Sequence, residues 1–274
     1  MPPYNSNGRI RVISSASRPP SVLQALAIKM ERLLWRRRAR NWDQKGSVQL
    51  TPVVAAVLDR CKAADGMIAV DLGCGSGQVT LPLARRCLHV VAVDLSDAAI
   101  GLLKACVERE GLGNVHALTQ PIETFELAPE SVDLVVSNYA LHHLRNRDKA
   151  ELVRRSFEWL RPGGRIVIGD MMLGRGISRD DRAVITNTVR ALAKRGPAGW
   201  WRILKNAWRF AFRVQEKPLS RVAWDALVRK AGFADVRVDR VLAEACVLSA
   251  CRPQQRSGRE RDLVASEPAF LKQQ

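Results

Sequence analysis

Asp71 stands two residues ahead of three alternating glycines in the run Val70-Asp71-Leu72-Gly73-Cys74-Gly75-Ser76-Gly77. Lacking a Cβ, Gly73 and Gly75 can take backbone angles closed to other residues and let a ligand lie against the main chain beside Cys74. A helix expected from Gly77 onward offers unpaired N–H groups and a positive dipole end to carboxylate or anionic groups. A carboxylate at Asp71 suits an ammonium group and repels a pyrophosphate. The G-x-G-x-G spacing also differs from the G-x-G-x-x-G of dinucleotide sites. A second hydrophobic run, His89 to Val93, ends in Asp94, whose carboxylate can accept both hydroxyls of a ribose. Nicotinamide, flavin and S-adenosylmethionine (SAM) sites all use such glycine turns, and the ribose acceptor is shared by SAM and NAD sites.

These groups need strands that end together and helices that return the chain. The hydrophobic pattern predicts strands over 67–72, 89–93, 115–119, 132–137, 164–170, 235–241 and 246–251. Helices are expected over 49–63, 77–86, 97–110, 147–160 and 220–231. Strands separated by helices imply a doubly wound, mostly parallel α/β sheet. The last two strands, with no helix between them, imply a closing antiparallel hairpin.

The chain resembles the class I SAM-dependent methyltransferases from about Leu50 to Cys251. Val70 to Gln78 is similar to the family's first motif and Val91-Ala92-Val93-Asp94-Leu95-Ser96 to its second. Ser131 to Asn138 resembles its fourth strand, and Leu160-Arg161-Pro162-Gly163-Gly164-Arg165-Ile166-Val167-Ile168 its turn and fifth strand. The resemblance implies a seven-stranded Rossmann-like methyltransferase fold with an antiparallel last strand, and SAM as the cofactor. It implies cofactor contacts from Asp71, Gly73, Cys74, Gly75, Gly77, Asp94, Leu95 and Asn138.

Many relatives carry an acid on the adenine amino group where this chain has Pro121, which offers neither an acceptor side chain nor an N–H. The adenine contact then falls to Gln120, Glu123 or the backbone of Ile122. In relatives the segment Asn138-Tyr139-Ala140-Leu141-His142-His143 faces the methyl group. Tyr139, His142 and His143 are therefore the candidate catalytic groups, with His142 ahead of His143 as general base because imidazole titrates near neutrality. No Asn/Asp-Pro-Pro-Tyr/Phe run occurs here, and no cysteine lies near the fourth strand, which argues against methylation of the exocyclic amino groups of bases and of pyrimidine C5. The segment is similar to that of enzymes acting on quinones, sterols, polyketides and other lipids.

The net charge of +17 is unevenly placed. Residues 1–45 carry +8, residues 46–174 carry −2 and residues 175–217 carry +8. Two basic segments thus flank a near-neutral core, 46–251. One is an N-terminal segment, 1–45, with an amphipathic helix near 21–41. The other lies within an insertion, 171–217, where Arg202, Lys205, Arg209 and Arg213 form a stripe beside Trp200, Trp201 and Trp208. By resemblance the first is a cover and the second a helical substrate lid. Wide apolar faces edged by cations could also dock on anionic lipid or nucleic acid. The tail 252–274 is polar and aperiodic. Six cysteines form no C-x-x-C pair and four histidines show no zinc spacing, so no metal site is expected. No run approaches the roughly 18 apolar residues of a membrane span, so a cytoplasmic protein is expected, with a membrane-peripheral position as the alternative.

The leading expectation is methyl transfer to oxygen or carbon of a small lipophilic metabolite. The alternatives are an RNA-directed methyltransferase and a non-catalytic module docked on a membrane or partner.

Overall fold

The computed structural model describes residues 47–173 and 217–254, with positions 182, 186, 189, 190, 193, 196 and 200 between them. The expected cover helix near 21–41, the cationic stripe over 202–213 and the tail beyond Gln254 lie outside the described residues.

The elements follow the hydrophobic pattern in order. Helix α1 (Ser47–Cys61) precedes β1 (Ile68–Leu72), α2 (Thr80–Ala84), β2 (His89–Asp94), α3 (Asp97–Arg109) and β3 (Val115–Thr119). Then come β4 (Val132–Asn138), a 3₁₀ turn (Leu141–His143), α4 (Asn146–Trp159), β5 (Leu160–Met171), α5 (Arg221–Lys230), β6 (Ala234–Arg240) and β7 (Ala245–Cys251). Every residue of β1 is buried, as a parallel strand covered by helices on both faces requires.

The seven strands run in the order β3-β2-β1-β4-β5-β7-β6. Strands β1 to β5 pair in parallel, while β7 lies antiparallel to both β5 and β6, forming the expected closing hairpin. The chain winds outward from β1 to β3 and restarts at β4 on the other side of β1. Adjacent loops therefore part at the carboxyl ends of β1 and β4, where α/β sheets place their ligands. Side chains on one face, including Val53 and Val57 of α1, form one core cluster; Trp159 and Trp224 of α4 and α5 belong to the cluster on the other.

Two boundaries differ from expectation. Helix α2 spans only Thr80–Ala84, because Gly77 (φ +101°) and the turn after it delay regular helix. A long helix dipole at the glycine loop is therefore absent. Strand β5 starts at Leu160 rather than 164. Gly163 donates its N–H to Arg252 O and Arg252 donates to Gly164 O, at 2.9 and 2.8 Å, so pairing extends through the Pro-Gly-Gly turn.

Candidate active site

A cavity opens at the parting of β1 and β4. Its wall includes Asp71, Gly73, Cys74, Gly75, Asp94, Leu95, Ile122 and Asn138. Tyr139, Ala140, His143 and Leu144 carry the wall on from Asn138, and Leu50 joins it from the first turn of α1.

The glycine loop is tied down from β2. Gly73 and Cys74 both donate their N–H to Val93 O, at 2.8 and 3.0 Å. Gly75 N–H donates to Asp94 Oδ2 at 2.9 Å, and Ser96 N–H to Asp94 Oδ1 at 2.8 Å. Each oxygen thus keeps lone-pair capacity for a further donor in the cavity. Ser96 also caps α3 by accepting from Ala99 N. Burial raises the Asp94 carboxyl above the usual range, against the lowering effect of these N–H donors.

Asp71 is buried more deeply. Its Oδ2 accepts from Thr80 Oγ1 at 2.6 Å, whereas Oδ1 has no hydrogen-bond partner. Desolvation is the largest influence and pushes its pKa up to about 7; Thr80 pulls it down and Asp94 adds to the rise. A buried carboxylate oxygen lacking a donor, on a cavity wall, suits a cationic donor. The Cys74 thiol is driven well above its usual pKa by burial, so it is no nucleophile.

The far wall is a strained turn. Tyr139 takes φ +51°, outside the ordinary range for a bulky residue, and its N–H is held by Gly169 O at 2.8 Å. The Tyr139 hydroxyl and Asn138 Oδ1 are buried without a hydrogen-bond partner. Burial, then Glu244, Asp170 and Cys246, push the Tyr139 phenol upward, so it stays protonated.

Sequence reasoning placed most of these residues, with three departures. His142, expected ahead of its neighbour, is buried and outside the cavity wall; its Nδ1 lies 2.5 Å from Asp170 Oδ1. His143 and Tyr139 do line the wall. Gln120 lies behind it, its Nε2 donating to Thr124 O at 3.1 Å. Gly77 also lies behind, packed so closely on α3 that a Cβ would come within 2.5 Å of Leu103 Cδ1. Of the three adenine candidates, Ile122 and Glu123 reach the wall. Ser76, Gln78 and Ser96 line it as well, and went unassigned because polar loop residues carry no periodic signal.

Arg155 holds the Ile122–Glu123 loop from below. It is almost fully buried, its guanidinium donates to Phe125 O at 2.5 Å and Ile122 O at 3.3 Å, and it stacks 5.5 Å from the Trp159 ring centre. Arg155→Met would leave both carbonyls unpaired and free the loop. A loss of about 3 kcal/mol is expected, lowering Tm by roughly 10 °C, with weaker ligand binding at the loop. Thermal unfolding with and without ligand measures both; an unchanged Tm would rule out this clamp.

A family described as "Methyltransferase domain" matches residues 69–164. Among curated proteins, the chain is 32% identical over 145 residues to phosphoethanolamine N-methyltransferase 1 of Triticum aestivum, covering 52% of this chain and 27% of that protein. It is 27% identical over 168 residues to ubiquinone biosynthesis O-methyltransferase of Aeromonas salmonicida, covering 59% and 67%. The fold matches the solved DhpI–SAH complex with a TM-score of 0.59 at 18% identity, over 84% of this chain and 98% of that one. The matched region spans between about a quarter and two thirds of the curated relatives' own length.

Proposed function

We propose that the chain, similar over its core to class I SAM-dependent methyltransferases, transfers a methyl group from SAM to an oxygen or carbon of a small, lipophilic metabolite. The observation that carries cofactor binding is the unpartnered, buried Asp71 Oδ1 on the cavity wall beside the glycine loop. SAM brings an ammonium, a ribose and a methyl group on a sulfonium.

In this reading Asp71 takes the ammonium, and the backbone of Gly73, Cys74 and Gly75 lies against the amino-acid portion. Asp94 receives the ribose hydroxyls with the lone pairs its N–H bonds leave over. Leu95 and Ile122 flank the adenine, with Glu123 beside them in place of the acid missing at Pro121. Gly77 and Gln120 brace the loops from behind. Asn138 stands where the fourth strand delivers the methyl-facing segment. Tyr139 and His143 face the acceptor, and His142 acts from behind them. The enzyme's work is alignment, plus removal of a proton where the acceptor is a hydroxyl.

A lipophilic acceptor is supported by the apolar Leu50, Ala140 and Leu144 beside those two polar groups. The name of the ubiquinone-biosynthesis relative points the same way. We assign the 46–251 region to catalysis and the basic flanking segments to covering the acceptor, in a cytoplasmic protein able to rest on anionic membrane. No helix among the described residues is long and apolar enough to cross a membrane.

Saturable binding of S-adenosylhomocysteine by calorimetry is the first expected result. The second is labelled methyl from SAM entering the lipid fraction of a cell extract. Absence of binding sinks the reading, and label confined to RNA or protein overturns the acceptor class.

A further inference from the structure

Asp170 is the penultimate residue of β5, as Asp71 is of β1, yet it lies outside the cavity wall. It is 1% exposed. Its Oδ1 accepts the Met171 N–H at 2.8 Å and stands 2.5 Å from His142 Nδ1, while Oδ2 is buried without a hydrogen-bond partner. A buried carboxylate–imidazole pair is a weak source of stability, since a packed apolar pair usually does as well or better. Its geometry points instead to orientation.

The backbone around His142 is held as tightly as its ring. Lys217 N–H donates to His142 O at 2.6 Å. The fully buried Lys149 ammonium donates to Leu144 O at 2.7 Å and Lys217 O at 2.6 Å. The fixed His142 ring lies against His143, with ring centres 4.1 Å apart and planes tilted by 46°. Tyr139 stands edge-on to His142 at 6.1 Å. Both cavity-facing rings, His143 and Tyr139, thus rest on His142.

We propose that Asp170 is a positioning residue which, through Nδ1 of His142, sets the plane that supports His143, and that His143 is the ring meeting a hydroxyl-bearing acceptor. This rests on the methyl-transfer reading above. With the bonded hydrogen on His142 Nδ1, the pair carries one negative charge, and its imidazole is the ring against which His143 lies. That charge favours the imidazolium formed when His143 takes the hydroxyl proton. In the same step the acceptor oxygen bonds to the methyl carbon, the carbon–sulfur bond breaks, and its electron pair stays on sulfur.

The test combines ¹⁵N spectra of the four histidines with two measurements on variants: S-adenosylhomocysteine affinity, and the maximal rate of labelling of the extract fraction that wild type labels. In wild type, His142 is expected to carry its ring hydrogen on Nδ1. Asp170→Leu should abolish that signal, lower the maximal rate about a hundredfold, and leave S-adenosylhomocysteine affinity within about threefold. Asp170→Asn keeps an acceptor for Nδ1 without the charge, so its rate should fall between the two. His143→Gln should cost about a thousandfold, and His142→Gln about a hundredfold, like Asp170→Leu, because Asp170 acts through that ring.

Wild-type protein with the His142 hydrogen on Nε2 overturns the proposal without any variant, so a misfolded Asp170→Leu does not leave it open. A rate for Asp170→Leu within about twofold of wild type, or the reverse order of the two histidine variants, overturns it too. A wild-type protein that binds no S-adenosylhomocysteine would instead sink the methyl-transfer reading, and the histidine spectra would still decide the pairing.

Discussion

Asp71→Asn is expected to weaken S-adenosylhomocysteine binding by about thirty- to a hundredfold, or roughly 2–3 kcal/mol, while making the ligand-free protein more stable at pH 8. The two effects have opposite signs because both come from one buried charge. Desolvation raises the folded carboxyl to about pKa 7, well above its unfolded value. Between about pH 4 and 7 the folded state therefore holds more protons than the unfolded chain. This group's contribution to stability is fullest below pH 4, declines as pH rises, and levels off above 7, where the deficit is on the order of 4 kcal/mol. Asn removes that deficit and keeps a partner for Thr80 Oγ1.

A ligand ammonium reverses the preference, because it is held best by the ionised carboxylate. Wild-type binding should then release a proton below pH 7, so apparent affinity falls between pH 7 and 5. Calorimetry in buffers of different ionisation heat detects that proton, and Asp71→Asn should abolish it. Proton release unchanged in the variant would place the ammonium elsewhere.

Gly73→Ala and Gly75→Ala should differ sharply although the residues are two apart in one loop. Both have positive φ, +75° and +54°, so each alanine carries a conformational cost of about 1–2 kcal/mol. At Gly75 nothing lies within 4 Å of the added Cβ. At Gly73 the new methyl would stand 2.2 Å from the Cβ of Ala140. Alanine has no rotamer to turn, so relief requires moving the backbone of the loop that carries Tyr139 and His143. Gly73→Ala is expected to cost about 4 kcal/mol in all and to abolish ligand binding. Gly75→Ala should cost only its conformational term. Denaturant midpoints with calorimetry compare the two, and equal losses would refute a direct contact between the glycine loop and the loop after β4.

Much of this frame is legible in local pattern. The strands were readable because each central one is a short apolar run closed by Gly, Asp or Asn. Such runs are buried on both sheet faces, so the signal does not depend on distant partners. Boundaries differ where backbone pairing or conformation overrides pattern: Arg252 lengthens β5 through a Pro-Gly-Gly turn, and Gly77 at φ +101° with the turn after it shortens α2. Asp170 carries the same local signal as Asp71, an acid near the end of an apolar strand, but no glycine turn follows it to mark a site.

The sequence by itself determined the sheet, the point where its loops part, and the residue types delivered there, because these depend on apolar periodicity, glycine spacing and the order of elements. Only the tertiary structure decided between His142 and His143. Neighbouring residues on a 3₁₀ turn project about 120° apart, so one must face inward when the other faces the cavity. Which does so is set by Asp170, 28 positions along the chain. It is set also by Lys149 and Lys217, whose hydrogen bonds hold the turn only after α4 and the chain leading into α5 have packed beside it.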